Sequence, residues 1–184
     1  MPQHSEKQLS SESIFNGRVI RLTVDTVELE NGNTSTREVV HHNGGAAIVA
    51  LNHKGEVALV RQYRYALGRE LVEIPAGKIE PGEQPRATAM RELEEEAACT
   101  ADHFEDFGSI IPTCGYCTEI IYLYLATGLH PARQKLDEDE FVDIFWVPLQ
   151  EAAQMVLDGK ITDSKTVSGI LLANLLRQNG RLAL

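Results

Sequence analysis

The chain has little cysteine and a deficit of positive charge. Only three of its 184 residues are cysteines, at positions 99, 114 and 117, too few and too odd in number for a disulfide framework. Reduced thiols fit the cytoplasm. Cys114 and Cys117 form a C-x-x-C pair, but they lack the second pair or histidines of a zinc site and the following helix of a thioredoxin-like one, so they read as two incidental thiols in a loop. Lysine and arginine total 17 against 27 aspartates and glutamates, a net charge of -10. Such a balance argues against general affinity for nucleic-acid backbones or anionic membranes. A negatively charged ligand would need local cations or metal ions. No apolar run approaches the length that spans a bilayer, and the opening stretch MPQHSEKQLSSES lacks the apolar core of a secretory signal. The expectation is a cytoplasmic protein that binds neither nucleic acid nor membrane.

Hydrophobic residues make up 43% of the chain, enough for the core of one domain. Residues 1–12 read as a flexible tail, 13–44 as an N-terminal β-hairpin region and 45–184 as the main domain. Asn31-Gly32 is a strong hairpin turn between extended stretches at 15–30 and 34–42. Further strands are predicted at 46–51, 57–64, 70–77, 107–111, 120–126 and 141–147. A helix is predicted over 84–98, with Pro85 near its start and Ala87, Met90, Leu93 and Ala97 as its apolar stripe. Two more helices follow at 150–157 and 165–177. The simplest assembly is a mixed sheet with helices packed on it, an α/β/α sandwich preceded by an antiparallel β-hairpin.

The first helix poses a chemical problem. Arg91 to Glu96 packs four glutamates into six positions, although like charges at i,i+4 repel. A rotation of about 100° per residue puts Glu92 and Glu96 on nearly the same side, with Glu95 a short rotation away. Taken alone, RELEEE would be a solvated helix face. The crowding would also be relieved by hard divalent cations, because Mg²⁺ and Mn²⁺ take oxygen ligands and commonly sit between carboxylates and phosphates. Arg91 can pair with Glu95 and aim it.

The residues around the run decide between these. Gly77, Glu83 and Arg91-Glu92-Leu93-x-Glu95-Glu96 have the spacing G-x5-E-x7-R-E-U-x-E-E, with U apolar, which closely resembles the Nudix box. The glycine that usually follows is Ala98 here, a change expected to bear on packing at the helix end. The resemblance implies a Nudix-type fold and a hydrolase that cleaves a nucleoside diphosphate linked to another moiety, using two or three divalent ions, Mg²⁺ or Mn²⁺. Glu92, Glu96 and the backbone carbonyl of Ala76 would hold metal, Glu95 would be a ligand or stand just behind the ligands, and Arg91 and Glu83 would orient the cluster.

Outside the box, RQYR, ELVEIPAGKIEPGE, SIIPTCGYCTEIIYLYLATGL and LDEDEFVDIFWVPLQEA resemble the ADP-ribose pyrophosphatase branch of that family, over most of residues 15 to 176. This likeness implies hydrolysis of ADP-ribose to AMP and ribose 5-phosphate. Another nucleoside diphosphate derivative as substrate, or a non-catalytic domain that senses ADP-ribose, are the alternatives. In the acidic stretch 137–140 the resemblance implies Glu138 as general base and Glu140 as a further metal ligand, or the reverse order. It also suggests Arg64 and Arg37 as contacts to phosphate or ribose, with Glu38, Lys78, Thr113 and Glu119 beside them, and a homodimer built through the N-terminal hairpin.

Overall fold

The computed structural model describes residues 4–136 and 141–182. Its first element, β1 (Lys7–Asn16), runs antiparallel to β2 (Arg21–Glu28), which pairs in turn with β3 (Thr34–His41). The described part of the expected tail, from Lys7 onward, is therefore strand, and the expected hairpin is a three-stranded sheet in the order β1-β2-β3. The reason is chemical. Ser11 and Gln8 of β1 donate to the Asp25 carboxylate of β2 at 2.6 and 2.9 Å, so a polar strand with the composition of a linker is held by polar pairing. The β2–β3 turn is the one read from the sequence: Gly32 has φ +81° and its N–H donates to the Leu29 carbonyl at 2.9 Å.

The chain through Gly44 forms one compact unit together with the distant segment Ile111–Ile120. The Val40 N–H donates to the Tyr116 carbonyl at 2.7 Å, and the Thr118 N–H donates to the Val40 carbonyl at 2.9 Å. Nothing in the periodicity of either segment announces this pairing, because it is made by isolated backbone bonds.

The second unit, Gly45–Ile110 and the chain from Ile121 onward, is organised by β4 (Gly45–Ala50). All six of its residues are buried, and period-2 alternation sends them to two different cores. Ala46, Ile48 and Ala50 pack toward α1 (Pro85–Glu95) with Ala89 and Leu93, whereas Ala47 and Val49 pack toward α2 (Leu149–Leu157) and α3 (Ser164–Gln178) with Leu149, Ala152, Ile170 and Ala173. That is the α/β/α sandwich expected.

The remaining strands of this unit are β5 (Glu56–Arg64), β6 (Arg69–Glu73), β7 (Ala76–Lys78), β8 (Cys99–Ile110), β9 (Ile121–Pro131) and β10 (Val142–Pro148). They form a four-stranded sheet, β7-β4-β9-β8, and a three-stranded sheet, β10-β5-β6. The larger one is mixed, with β4 and β9 parallel. β8 is far longer than the strand predicted at 107–111. Its residues Thr100–Asp106 are mostly polar and exposed, but they pair with Tyr124–His130 of β9.

Helix α1 differs from expectation in phase. Ala87 is exposed and Met90 is 52% exposed; the buried residues are Thr88, Ala89, Glu92 and Leu93, followed by Glu96 and Ala97. The inward face is thus a row of small and apolar residues, Ala89, Leu93 and Ala97, beside a row that carries two carboxylates. A solvated face for the whole RELEEE run is therefore not what forms: Glu92 and Glu96 are turned in.

Ala98, just past this helix, has φ +52°, in the left-handed region that an L-residue other than glycine enters at a cost of about 1 kcal/mol or more. The glycine usual at this point of the box thus has a conformational rationale rather than the expected packing one. Ala98→Gly is expected to stabilise the protein by about 1 kcal/mol, a rise of roughly 2–4 °C in Tm for a chain of this size; thermal unfolding checks it.

Candidate active site

The site is assembled where α1 lies against the short strand β7. Ala76 and Gly77 pair with Ala47 and Ala46 of β4, which fixes their backbone. Glu92 and Glu96, one helical turn apart on the inward face of α1, are only 8% and 3% exposed. The Ala76 N–H donates to Glu96 Oε2 at 2.9 Å. Gly77 lies so close to Glu92 that a Cβ there would sit 1.7 Å from Oε1 and 2.1 Å from Cδ. The first glycine of the box is therefore the space into which the Glu92 carboxylate projects.

Arg91 is the hub that makes the glutamates compatible. Its Nη1 donates to Glu92 Oε1 at 2.6 Å and to Glu95 Oε2 at 2.8 Å, while Nε and Nη2 reach the two oxygens of Glu83 at 3.2 and 3.3 Å. Burial works against the charge of the guanidinium, but the bonds from Glu83, Glu95 and Glu92 outweigh it and hold its pKa above the ordinary arginine value. Glu83 also accepts from the Thr88 hydroxyl at 2.7 Å and from the Glu80 N–H at 3.2 Å. Its hydrogen bonding to Arg91, opposed by burial and helped by Thr88 and Glu80, brings its pKa down from 4.5 to about 2.

Because the folded-state pKa of Glu83 is depressed, the stability it contributes is present above about pH 4.5 and is lost as the pH falls toward 2. Glu83→Gln, measured in chelator by denaturant unfolding at several pH values, is expected to flatten that part of the stability profile and to lower stability at neutral pH.

Glu94, next to this cluster, points elsewhere: Lys135 Nζ donates to it at 2.6 Å, and the Gln134 amide donates to the Glu96 carbonyl at 3.0 Å. The end of α1 is thus satisfied by the chain that follows β9. Neither lysine nor glutamine stood out in the sequence, since pairing at this separation has no local signature.

The other anticipated residues are distributed as follows. Arg64 ends β5, Lys78 ends β7 and is exposed. Arg64 is engaged by Glu73, with Nε and Nη2 donating to the two carboxylate oxygens at 2.6 Å each. Arg37 and Glu38 lie on β3, where Arg37 forms an ion pair with Glu6 and donates to Ser35 Oγ at 3.1 Å. Thr113 and Glu119 belong to the segment joined to β3; Glu119 lies 3.4 Å from His42 Nδ1. Glu138 and Glu140, with Asp137 and Asp139, lie outside the described residues. Cys99, Cys114 and Cys117 are all free thiols, the first buried.

Among the described residues, no three acidic, histidine or cysteine side chains gather into a group that would hold a metal by themselves. What α1 and β7 offer is two inward carboxylates one turn apart beside the backbone at Ala76. This all-oxygen donor set suits a hard divalent cation that completes its coordination from substrate, water or further chain oxygens. No helix among the described residues is long and apolar enough to cross a membrane.

Layered sheets and helices around a carboxylate-bearing helix define a class of fold, and it is a known one. A crystal structure of an ADP compounds hydrolase superposes with a TM-score of 0.84, covering 99% of this chain and 100% of that one at 21% identity. Residues 41–168 match the NUDIX domain and residues 6–40 the nucleoside diphosphate sugar hydrolase N-terminal domain.

The chain belongs to the Nudix family and is a Nudix pyrophosphohydrolase. Relatives include the methanol dehydrogenase activator of Bacillus methanolicus, 47% identical over 90% of each chain, and the ADP-ribose pyrophosphatase of Bacillus subtilis (strain 168), 42% identical over 92% of this chain and 93% of the other.

Proposed function

We propose that the chain hydrolyses the diphosphate of ADP-ribose, or of a closely related nucleoside diphosphate sugar, giving AMP and ribose 5-phosphate from the former. The observation that carries this reading is the pair of buried carboxylates, Glu92 and Glu96, set one turn apart against Ala76 and Gly77. Two carboxylates beside a backbone carbonyl make an all-oxygen donor set that suits hard cations, and Mg²⁺ or Mn²⁺, two to three ions with substrate, would be held there. Bound ions of this kind offset the charge of a diphosphate and acidify a water for attack.

The chain's own residues take the remaining parts. Glu92, Glu96 and the Ala76 carbonyl hold metal, with Glu95 beside them; Arg91 and Glu83 keep the carboxylates in place. Glu138 takes the proton of the attacking water and Glu140 adds a ligand, a division suggested by the family resemblance. By the same resemblance Arg64 and Arg37 are contacts to phosphate or ribose of the substrate, with Glu38, Lys78, Thr113 and Glu119 as further candidates. For Arg37 this requires exchange of its ion pair with Glu6. The relative named ADP-ribose pyrophosphatase supports the choice of substrate.

A homodimer belongs to the same reading. Every residue of β1 is exposed, and Leu9, Ile14, Phe15, Val19 and Ile20 place large apolar side chains in solvent in the N-terminal unit, the kind of surface that a second copy would cover. Three free thiols fit the cytoplasm.

The test is Mg²⁺-dependent hydrolysis of a panel of nucleoside diphosphate derivatives in ¹⁸O-water, with mass analysis of both products. ADP-ribose is expected to be turned over fastest, with the label in one product showing which phosphorus is attacked. Faster turnover of another panel member would transfer the activity to that substrate. A second reading, activation of a partner enzyme alongside hydrolysis, is suggested by the relative named as a methanol dehydrogenase activator. A rise in the turnover of a purified methanol dehydrogenase on adding the chain would support it, and no change would remove it.

A further inference from the structure

Glu73 is the most deeply buried carboxylate described, 1% exposed, and it lies outside the box. It ends β6 on the same face of the β5–β6 ladder as Arg64, since Glu73 pairs with Val60 and alternation carries Val60, Gln62 and Arg64 to one side. Arg64 forks onto both of its oxygens at 2.6 Å. A second cation comes from α3: Lys165 Nζ donates to Glu73 Oε2 and, at 3.0 Å, to Asp163 Oδ2.

Asp163 in turn caps α3, accepting from the Thr166 N–H at 3.0 Å and the Thr166 hydroxyl at 2.5 Å, and Thr166 Oγ1 accepts from the Ile74 N–H at 2.9 Å. The four charged groups sum to zero. Burial alone would raise the pKa of Glu73, but the Arg64 fork and the Lys165 charge more than offset it and hold the group ionised.

Such a network is more than the core needs. Replacing buried ionic groups with apolar ones is often neutral or stabilising, so its shape asks for another explanation. Two features supply one. The Arg64 side chain is 39% exposed although its carboxylate partner is not, and Glu73 occupies only Nε and Nη2, so that among the described residues Nη1 has no hydrogen-bond acceptor. Glu96, the buried carboxylate of the site, also acts on Arg64 through space and adds to the rise in its pKa begun by Glu73. An arginine clamped along one edge, open along the other and within the field of the metal-holding helix is oriented to receive an anion.

We infer that Glu73, braced by Lys165 from α3, is a positioning residue that fixes the Arg64 guanidinium toward the diphosphate of the substrate. The inference rests on the proposed reading of the site as a diphosphate hydrolase. It makes α3, which carries no residue of the box, part of substrate binding. A flexible arginine would lose rotamer freedom each time substrate bound; a clamped one has lost it on folding.

The experiment is a set of variants with KM, kcat and Tm measured for Mg²⁺-dependent ADP-ribose hydrolysis. Arg64→Ala is expected to raise KM by about 10–100-fold, and Glu73→Gln by about tenfold, with kcat changed less in both. Glu73→Gln combined with Arg64→Ala should be no worse than Arg64→Ala alone, since Glu73 acts through Arg64.

Glu73→Gln leaves two cations facing a neutral amide, so the charge-balanced pair Glu73→Gln/Lys165→Met serves if the single variant does not fold; it should show the same rise in KM. A wild-type KM in either folded variant, or additive effects in the combination with Arg64→Ala, would overturn the inference. If the wild type hydrolyses no panel member, the proposed reaction falls by itself, and calorimetric binding of inorganic diphosphate with Mg²⁺ then reads the clamp. Tenfold weaker binding in the Glu73 variants supports it, and equal binding, or none to the wild type, overturns it.

Discussion

Glu96→Gln is expected to lower kcat by about a thousandfold or more while leaving the fold intact. The side chain is almost wholly buried and accepts a backbone hydrogen bond from Ala76. The glutamine amide oxygen can accept that same bond, so the link between α1 and β7 is kept. Stability in chelator should therefore change little. Mg²⁺ is expected to raise the Tm of the wild type and to leave that of the variant unchanged, because a ligand that binds only the folded state stabilises it. Kinetics and thermal unfolding with and without Mg²⁺ read all three effects. Wild-type turnover in this variant would remove Glu96 from the metal site.

Gly77→Ala should be nearly as damaging to activity for a different reason. The added Cβ would stand 1.7 Å from Glu92 Oε1 and within 2.8 Å of its Cγ. These atoms form the end of a flexible side chain, so the clash is relieved by swinging the carboxylate away rather than by breaking β7 from β4. The cost in stability is small, whereas the carboxylate loses its place and its bond to Arg91. A fall in kcat/KM of about a hundredfold or more is expected, with Tm within a few degrees of the wild type and a higher Mg²⁺ concentration at half-maximal activity. A large fall in Tm with normal activity per folded molecule would show that Gly77 is required by the sheet instead.

These two residues also mark how far the sequence could be read. Gly77, Glu83, Arg91, Glu92, Glu95 and Glu96 were legible as a set because their spacing is fixed by one loop and one helix, and the structure brings Glu83, Glu92 and Glu95 together around Arg91 and Glu96 onto the Ala76 N–H. The direction that α1 faces was legible only in part: Leu93 and Ala97 of the expected stripe are buried, and Ala87 and Met90 are not. Hydrophobic periodicity assigns the inward face to apolar side chains, and it fails where a site buries charge on purpose: Met90 stands outside while Glu92 and Glu96 turn in.

Long-range polar pairs were invisible for a related reason. Arg64 could be picked out as a cation, but its bond to Glu73 and the bracing by Lys165, 92 residues further on, have no local pattern. The first part of β1, residues 7–12, was read as tail because it is polar, and the strand is held by Asp25 rather than by an apolar face. The β4 strand and the Asn31-Gly32 turn, by contrast, were recoverable because backbone chemistry within a few residues decides them.

The most direct measurement of the metal claim is anomalous diffraction from crystals soaked in Mn²⁺ with a non-hydrolysable ADP-ribose analogue. The expected result is a peak within coordinating distance of the Glu92 and Glu96 carboxylates and the Ala76 carbonyl, about 2.0–2.4 Å from each ligand it touches. A well-ordered analogue with no manganese at these carboxylates, or manganese bound only elsewhere, would contradict it.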